Sequence, residues 1–216
     1  DLLDLLKSCV MKCRWLFLGL LLAGCREATP PIPPSGMVLV PAGNCSLGAD
    51  DGQAFFSPHQ EYVAGFFIDR CEVTQAEYKK FKPDFPVAAG DENKPVTHLT
   101  KAEAEAYLQS LGKRLPTAAE WEKAARGTDG RIYPWGNDWD YRKGNLTAKG
   151  RTGNFCSTGR MKPVGSFPQG ASPYGCMDLC GNAFEWVADL KDGRPVIRGG
   201  AYGYRERDCR SSSYAT

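Results

Sequence analysis

Apolar residues gather at a few places along the chain and leave long polar stretches between them. Trp15 to Leu22 is a short apolar run. Met37-Val38-Leu39-Val40, closed by Pro41-Ala42-Gly43, reads as a strand ended by a turn, and Phe66-Phe67-Ile68-Asp69 reads as a second strand. Three helix starts follow, each a Thr with a Glu three residues on: Thr74/Glu77, Thr100/Glu103 and Thr117/Glu120. In such a capping box the Thr hydroxyl accepts from the N3 amide while the Glu reaches back to the cap N–H. The helices are predicted to run to Phe81, Leu111 and Arg126. Their apolar spacing supports this, with Ala104, Tyr107, Leu108 and Leu111 on one, and Trp121, Ala124 and Ala125 on another. Gly112 and Gly127 stand where residues just past a helix end belong.

Residues 128–172 show little periodicity and are rich in Gly, Asn, Pro and aromatics, so long ordered loops are expected. A loop of this length needs something to hold it, and disulfides or a bound cation are the two candidates. Short strands are expected at Ala183–Val187 and Val196–Ala201. The latter needs a partner, part of which the Val38–Val40 strand could supply. No internal repeat is visible.

The first apolar run carries a message about compartment. It follows Met11-Lys12-Cys13-Arg14 and ends in Leu21-Leu22-Ala23-Gly24-Cys25. A basic start, a short apolar core and small residues have the layout of a secretory signal. At eight residues the run is too short to span a bilayer, which takes about 20. Leu-Ala-Gly-Cys resembles the bacterial lipobox, which implies that Cys25 receives lipid and becomes the mature N-terminus. Residues 1–24 are then upstream residues plus signal, with residues 1–10 preceding the natural start at Met11. Residues 25–36 contain Pro30, Pro31, Pro33 and Pro34 and read as a stiff tether. Residues 37–216 are the domain. The expected location is extracytoplasmic, lipid-anchored to a bacterial membrane.

Charge and cysteine content sharpen this. Removing residues 1–24 takes away three cations and two acids, so the net charge of +2 falls to +1. No nucleic-acid partner is expected from such a balance. Of nine cysteines, Cys45, Cys71, Cys156, Cys176, Cys180 and Cys209 lie in the domain. An even number in an oxidising compartment favours disulfides, and at least two are expected. Six cysteines allow 15 pairings, and the sequence does not choose among them. Cys176-x3-Cys180 lacks a second CxxC or His partner, so zinc is not expected. His59 and His98 lie far apart without a triad pattern.

Six motifs then follow one another in order: Met37–Gly43, Ile68–Thr74, Arg114-Leu115-Pro116-Thr117-Ala118-Ala119-Glu120-Trp121-Glu122, Tyr133-Pro134-Trp135-Gly136, Gly181-Asn182-Ala183-Phe184-Glu185-Trp186 and Arg198-Gly199-Gly200-Ala201-Tyr202. Together they resemble the formylglycine-generating enzyme, or sulfatase-modifying factor, family over residues 37–216. The resemblance implies an α+β, C-type-lectin-like fold with little regular secondary structure and long loops. Family domains continue beyond the Cys-Arg motif to a closing strand, so the chain is expected to be truncated at its C-terminus.

The resemblance also implies a chemistry to test residue by residue. Name-giving members oxidise a substrate cysteine to formylglycine with copper held by two cysteines after the Gly-Gly motif. Here the first position is Tyr204 and only the second, Cys209, is a cysteine. Cu(I) favours two soft thiolates, so copper is not expected and Cys209 is at most a residual catalytic candidate. The expected function is therefore a tethered, non-catalytic module that binds a protein or small-molecule ligand, with the oxidase as the alternative. The run Tyr202, Tyr204, Arg205, Arg207 and Arg210 lies where the family builds its pocket, and Tyr and Arg are frequent recognition anchors. Asp178 and Glu185, with the carbonyls of Gly181 and Ala183, match a family calcium site and suit a hard cation. A second family calcium site could use Asn145, but its carboxylate maps near Cys156. Trp121, Trp135, Trp186, Tyr133 and Phe184 are expected in the core rather than on a binding surface.

Overall fold

The computed structural model describes residues 31–146, 148–149, 155–156 and 159–216. The lipidation candidate Cys25 and the signal segment lie outside the described residues, as does the Cys156 side chain.

The strands pair two by two. β1 (Met37–Val40) runs antiparallel to β4 (Phe66–Asp69), from Met37 opposite Asp69 to Val40 opposite Phe66. Between them lie β2 (Gly43–Leu47) and β3 (His59–Val63), paired from Gly43 opposite Val63 to Leu47 opposite His59. This second pair was not anticipated. Its inward residues Cys45, Leu47 and Val63 form a small cluster of their own.

All three capping boxes form as expected. α1 is Gln75–Phe81, α2 is Lys101–Ser110 and α3 is Ala118–Arg126, and each cap Thr accepts from the amide of its own Glu. Leu111 caps α2 and Gly112 follows it at φ +67°, whereas Gly127 is itself the cap of α3. Among its described residues the loop region contains the two-residue pair β5 (Ala148–Lys149) and β6 (Phe155–Cys156) and single 3-10 turns. Among the described residues no helix is long and apolar enough to cross a membrane.

β7 (Glu185–Lys191) and β8 (Arg194–Arg198) form a hairpin that extends further than expected. Its two-residue turn, Asp192-Gly193, has φ of +51° and +77°. Positive φ at both central residues is what a tight primed turn demands, and Asp-Gly is a favoured pair for it. The partner of β8 is thus β7 rather than β1. Ile197 also exchanges two backbone hydrogen bonds of 3.0 Å with Ala215.

α3 is the centre of the core. Trp121, Ala118, Ala124 and Ala125 are fully buried against Val40, Leu179, Val187 and Val196. Three of its charged residues, Glu122, Lys123 and Arg126, are buried too, and each is satisfied. Lys123 Nζ donates to the carbonyls of Pro41, Gly43 and Val63 at 2.7–3.1 Å. Glu122 accepts from Gly48 N (2.6 Å), Arg126 Nη1 (2.7 Å) and Arg198 Nη2 (2.7 Å). Buried charges persist when paired and hydrogen-bonded in this way.

Among the described residues no disulfide joins the domain cysteines. Cys45, Cys71, Cys176, Cys180 and Cys209 are free thiols. Cys45 belongs to the β2–β3 cluster and Cys176 to the main core, where each fills an apolar position as a small hydrophobe. Cys180 and Cys209 share a third cluster.

Candidate functional site

Two backbone features meet beneath the candidate site. The first is the Gly199-Gly200 turn after β8, with φ of +88° and +74°. A Cβ on Gly200 would stand 2.6 Å from Cys209 Sγ, so only glycine fits without displacement. The second is the loop from Met177 to Ala183, where Asp178 and Asn182 take φ of +60° and +65°. Gly181 N–H donates to Gly199 O at 2.8 Å, and Tyr202 N–H donates to Asn182 O at 3.1 Å. The motifs Gly181–Trp186 and Arg198–Tyr202 are therefore one structural unit.

Asn182 is the hub. Its Oδ1 accepts from Asn145 Nδ2 (2.9 Å) and Lys162 N (3.0 Å), and its Nδ2 donates to Glu72 Oε2 (2.8 Å). Asp178 Oδ2 accepts from Gly165 N at 2.6 Å. These bonds hold the long loop against the core. Asn145 thus serves as a brace.

Three carboxyls near this unit influence one another electrostatically: Glu72, Asp178 and Glu185. Glu72 Oε1 also accepts from Ala183 N at 3.1 Å, and Glu185 Oε2 accepts from Trp121 Nε1 at 2.7 Å. Burial, reinforced by Asp178 and Glu185, pushes the Glu72 carboxyl well above its usual range. Burial likewise raises Glu185 to about 7, against the Trp121 hydrogen bond, with Asp178 adding to the rise. Burial raises Asp178 too, partly offset by the Gly165 amide. None of the three is paired with a Lys or Arg among the described residues. Glu72 escaped the sequence reading because its partners lie 110 and 111 residues away, with no local pattern to announce them.

A cavity of about 1000 Å³ opens beside these residues, lined by Phe184, Trp186, Tyr202 and Tyr204 together with Glu72 and Glu185. Phe184 and Tyr204 meet edge to face at 4.7 Å between ring centres. Two of the five aromatics expected in the core, Phe184 and Trp186, thus line a cavity, while Trp121 and Tyr133 are fully buried. Trp135 is half-buried and stacks on Tyr133.

The five candidate ligand residues divide. Tyr202 and Tyr204 line the cavity and are 38% and 45% exposed. Arg205, Arg207 and Arg210 are not among its lining residues. Arg207 pairs with Asp208 at 3.5 Å, and Arg210 Nη1 donates to Asp51 Oδ2 at 3.0 Å. Cys209, the residual catalytic candidate, is wholly buried and does not line the cavity.

The geometry agrees with what comparison shows. The sulfatase-modifying factor enzyme 1-like domain matches residues 25–216. The inactive C-alpha-formylglycine-generating enzyme 2 of Bos taurus is 44% identical over 98 residues, 44% of this chain and 32% of that protein. The formylglycine-generating enzyme of Bos taurus is 30% identical over 223 residues, covering 74% of this chain and 59% of that protein. The enzyme of Thermomonospora curvata is 42% identical over 113 residues, 45% of this chain and 34% of its own. The chain thus spans about a third to three-fifths of the length of these relatives. Two solved structures share the fold: Treponema denticola variable protein 1 (TM-score 0.66, 20% identity, 83% of this chain and 88% of that one) and CarF (TM-score 0.63, 21% identity, 85% and 92%). By its ordered motifs, its α+β architecture and this match over nearly its whole length, the chain belongs to the sulfatase-modifying factor enzyme 1-like domain family.

Proposed function

We propose that this domain is a non-catalytic binding module, tethered outside the cytoplasm through Cys25, that takes a protein or small-molecule ligand in the cavity beside Tyr202 and Tyr204. One observation carries the reading: the two positions that hold copper in the name-giving enzymes are a phenol, Tyr204, and a thiol with no exposure, Cys209. A soft monovalent copper ion gains little from a phenol, and a sealed thiol cannot reach a ligand in the cavity. The aromatic walls, by contrast, offer contact area suited to recognition. The resemblance to an enzyme described as inactive points the same way.

Calcium fits the loop below the cavity. Asp178 and Glu185 bring carboxyls without a basic partner, and the carbonyls of Gly181 and Ala183 accept no hydrogen bond among the described residues. Two carboxylates and backbone oxygens suit a hard cation. These residues do not make a cluster of three or more side-chain ligands, so the carbonyls would have to complete the shell. Bound calcium would neutralise the buried acids and fix the loop under Phe184.

The competing reading is a formylglycine-generating oxidase, favoured by the 30% identity to the bovine enzyme. Cu(I) titration against a competing chelator separates the two. The module reading expects no tight stoichiometric binding that depends on Cys209. Such binding, together with conversion of cysteine to an aldehyde in a sulfatase-type peptide, would establish the oxidase.

A further inference from the structure

Cys180 and Cys209 stand 29 positions apart in the chain and side by side in the fold. Their exposures are 2% and 0%. The two thiols share one buried cluster, packed with Tyr133 and Leu146 and covered by Trp135 and Trp139. Their backbones are registered by the same turn. Gly181, next to Cys180, donates to Gly199, and Gly200 presses against Cys209 Sγ with no space for a Cβ. The other buried cysteines differ. Cys45 packs with Leu47 and Val63, and its thiol donates to Glu61 O at 3.5 Å. Cys176 sits among Ala125, Val187 and Leu179.

We propose that Cys180 and Cys209 form a disulfide when the chain folds in the presence of a disulfide-bearing oxidant. The bond ties the Met177–Ala183 loop to the segment after Gly199-Gly200. One cysteine thiolate attacks the oxidant's disulfide, and one oxidant thiol leaves. The second cysteine thiolate then attacks the mixed disulfide at the protein sulfur. The protein S–S bond forms and the second oxidant thiol departs. The two cysteines lose two electrons and two protons, which the oxidant takes up as its two thiols. Timing follows from burial. In the folded state the two thiols are buried beneath Trp135 and Trp139. Exchange needs a thiol that the oxidant can reach, so the bond forms before the aromatic cover closes. Once covered, it is shielded from reductants. This cross-link is independent of what the cavity binds, and its failure leaves the binding reading standing. Its success removes Cys209 as a free thiol for copper.

The experiment is to fold the reduced chain in a buffer of reduced and oxidised glutathione. Free thiols are then trapped with an alkylating agent and peptides are mapped without reduction. The expected result is one dominant cross-linked pair joining the peptides of Cys180 and Cys209. Unfolding under reducing conditions is expected to lower the melting temperature by about 7–14 °C, from the entropy of closing a loop of this length. Cys180→Ala should abolish that difference. Recovery of both cysteines as alkylated free thiols in the folded wild type overturns the proposal, as does linkage of either one to another cysteine. The peptide map of the wild type decides even where the variant folds poorly.

Discussion

Glu122 gives the sharpest prediction about what holds the site in place. Its carboxylate is fully buried and joins three parts of the chain: the loop at Gly48, the end of α3 through Arg126, and the end of β8 through Arg198. Arg198 is fully buried, and its guanidinium lies 5.0 Å from the Trp121 ring centre and 5.9 Å from that of Phe55. Its other acceptor is Ser211 O at 2.7 Å. Burial lowers the Arg198 pKa, opposed by Glu122. Glu122→Gln keeps the volume and one acceptor oxygen but removes the charge. An amide N–H₂ then confronts a guanidinium, and Arg198 becomes a buried cation without an anion. Breaking such a pair costs about 3–5 kcal/mol. For a domain of this size that corresponds to a melting temperature lower by about 6–20 °C. Arg126 suffers less, because it also donates to the carbonyls of Gly48 and Arg131. Replacing both partners, Glu122→Leu with Arg198→Met, should recover much of the loss, since the desolvation penalty goes with the charges. Urea melts of the wild type and both variants read this out, with the m-value constant if only stability changes. A loss below about 1 kcal/mol for Glu122→Gln would refute the view that this ion network positions β8 and the Gly199-Gly200 turn.

Three further outcomes are expected. Gly200→Ala should cost about 2–4 kcal/mol, combining a left-handed backbone with a Cβ 2.6 Å from Cys209 Sγ. Gly193→Ala, at φ +77° in open space, should cost only about 1 kcal/mol, and equal losses in a paired urea melt would contradict the packing argument. Excess chelator should lower the melting temperature, and added calcium restore it, because a ligand bound only by the folded state stabilises it; an unchanged curve, with no metal in the purified protein, would remove calcium from the account. In cell fractionation the wild type should sediment with membranes and Cys25→Ser should appear as soluble or unprocessed protein, whereas a wild type already soluble in the periplasm would rule out the tether.

Local signals were legible in the sequence because local physics decides them. Each Thr-x-x-Glu box satisfies helix amides within four residues, and all three helices begin where such boxes place them. The β1 and β4 runs are apolar enough to read directly. β2 was overlooked because Asn44 and Ser46 face outward between Cys45 and Leu47, an alternation only five residues long. The extension of β7 to Lys191 was available in the Asp192-Gly193 pair, which specifies the turn. Long-range bonds left no trace of this kind. Glu72 meets Asn182, Glu122 meets Arg198 and Cys180 meets Cys209 only once the chain is folded. The Tyr-Arg run was read as one surface, yet the 3-10 turn at Glu206–Cys209 parts it. Tyr202 and Tyr204 remain at the cavity, while Arg210 is directed to Asp51.

The central claim, that this family domain binds without oxidising, meets its most direct test in one assay. The purified protein is supplied with Cu(I), oxygen and a cysteine-containing sulfatase-type peptide, alongside an active formylglycine-generating enzyme, and the peptide is analysed for aldehyde by mass spectrometry. The account predicts conversion by the active enzyme and none by this chain, as Tyr204 and the buried Cys209 require. Turnover that is lost in Cys209→Ser would contradict it.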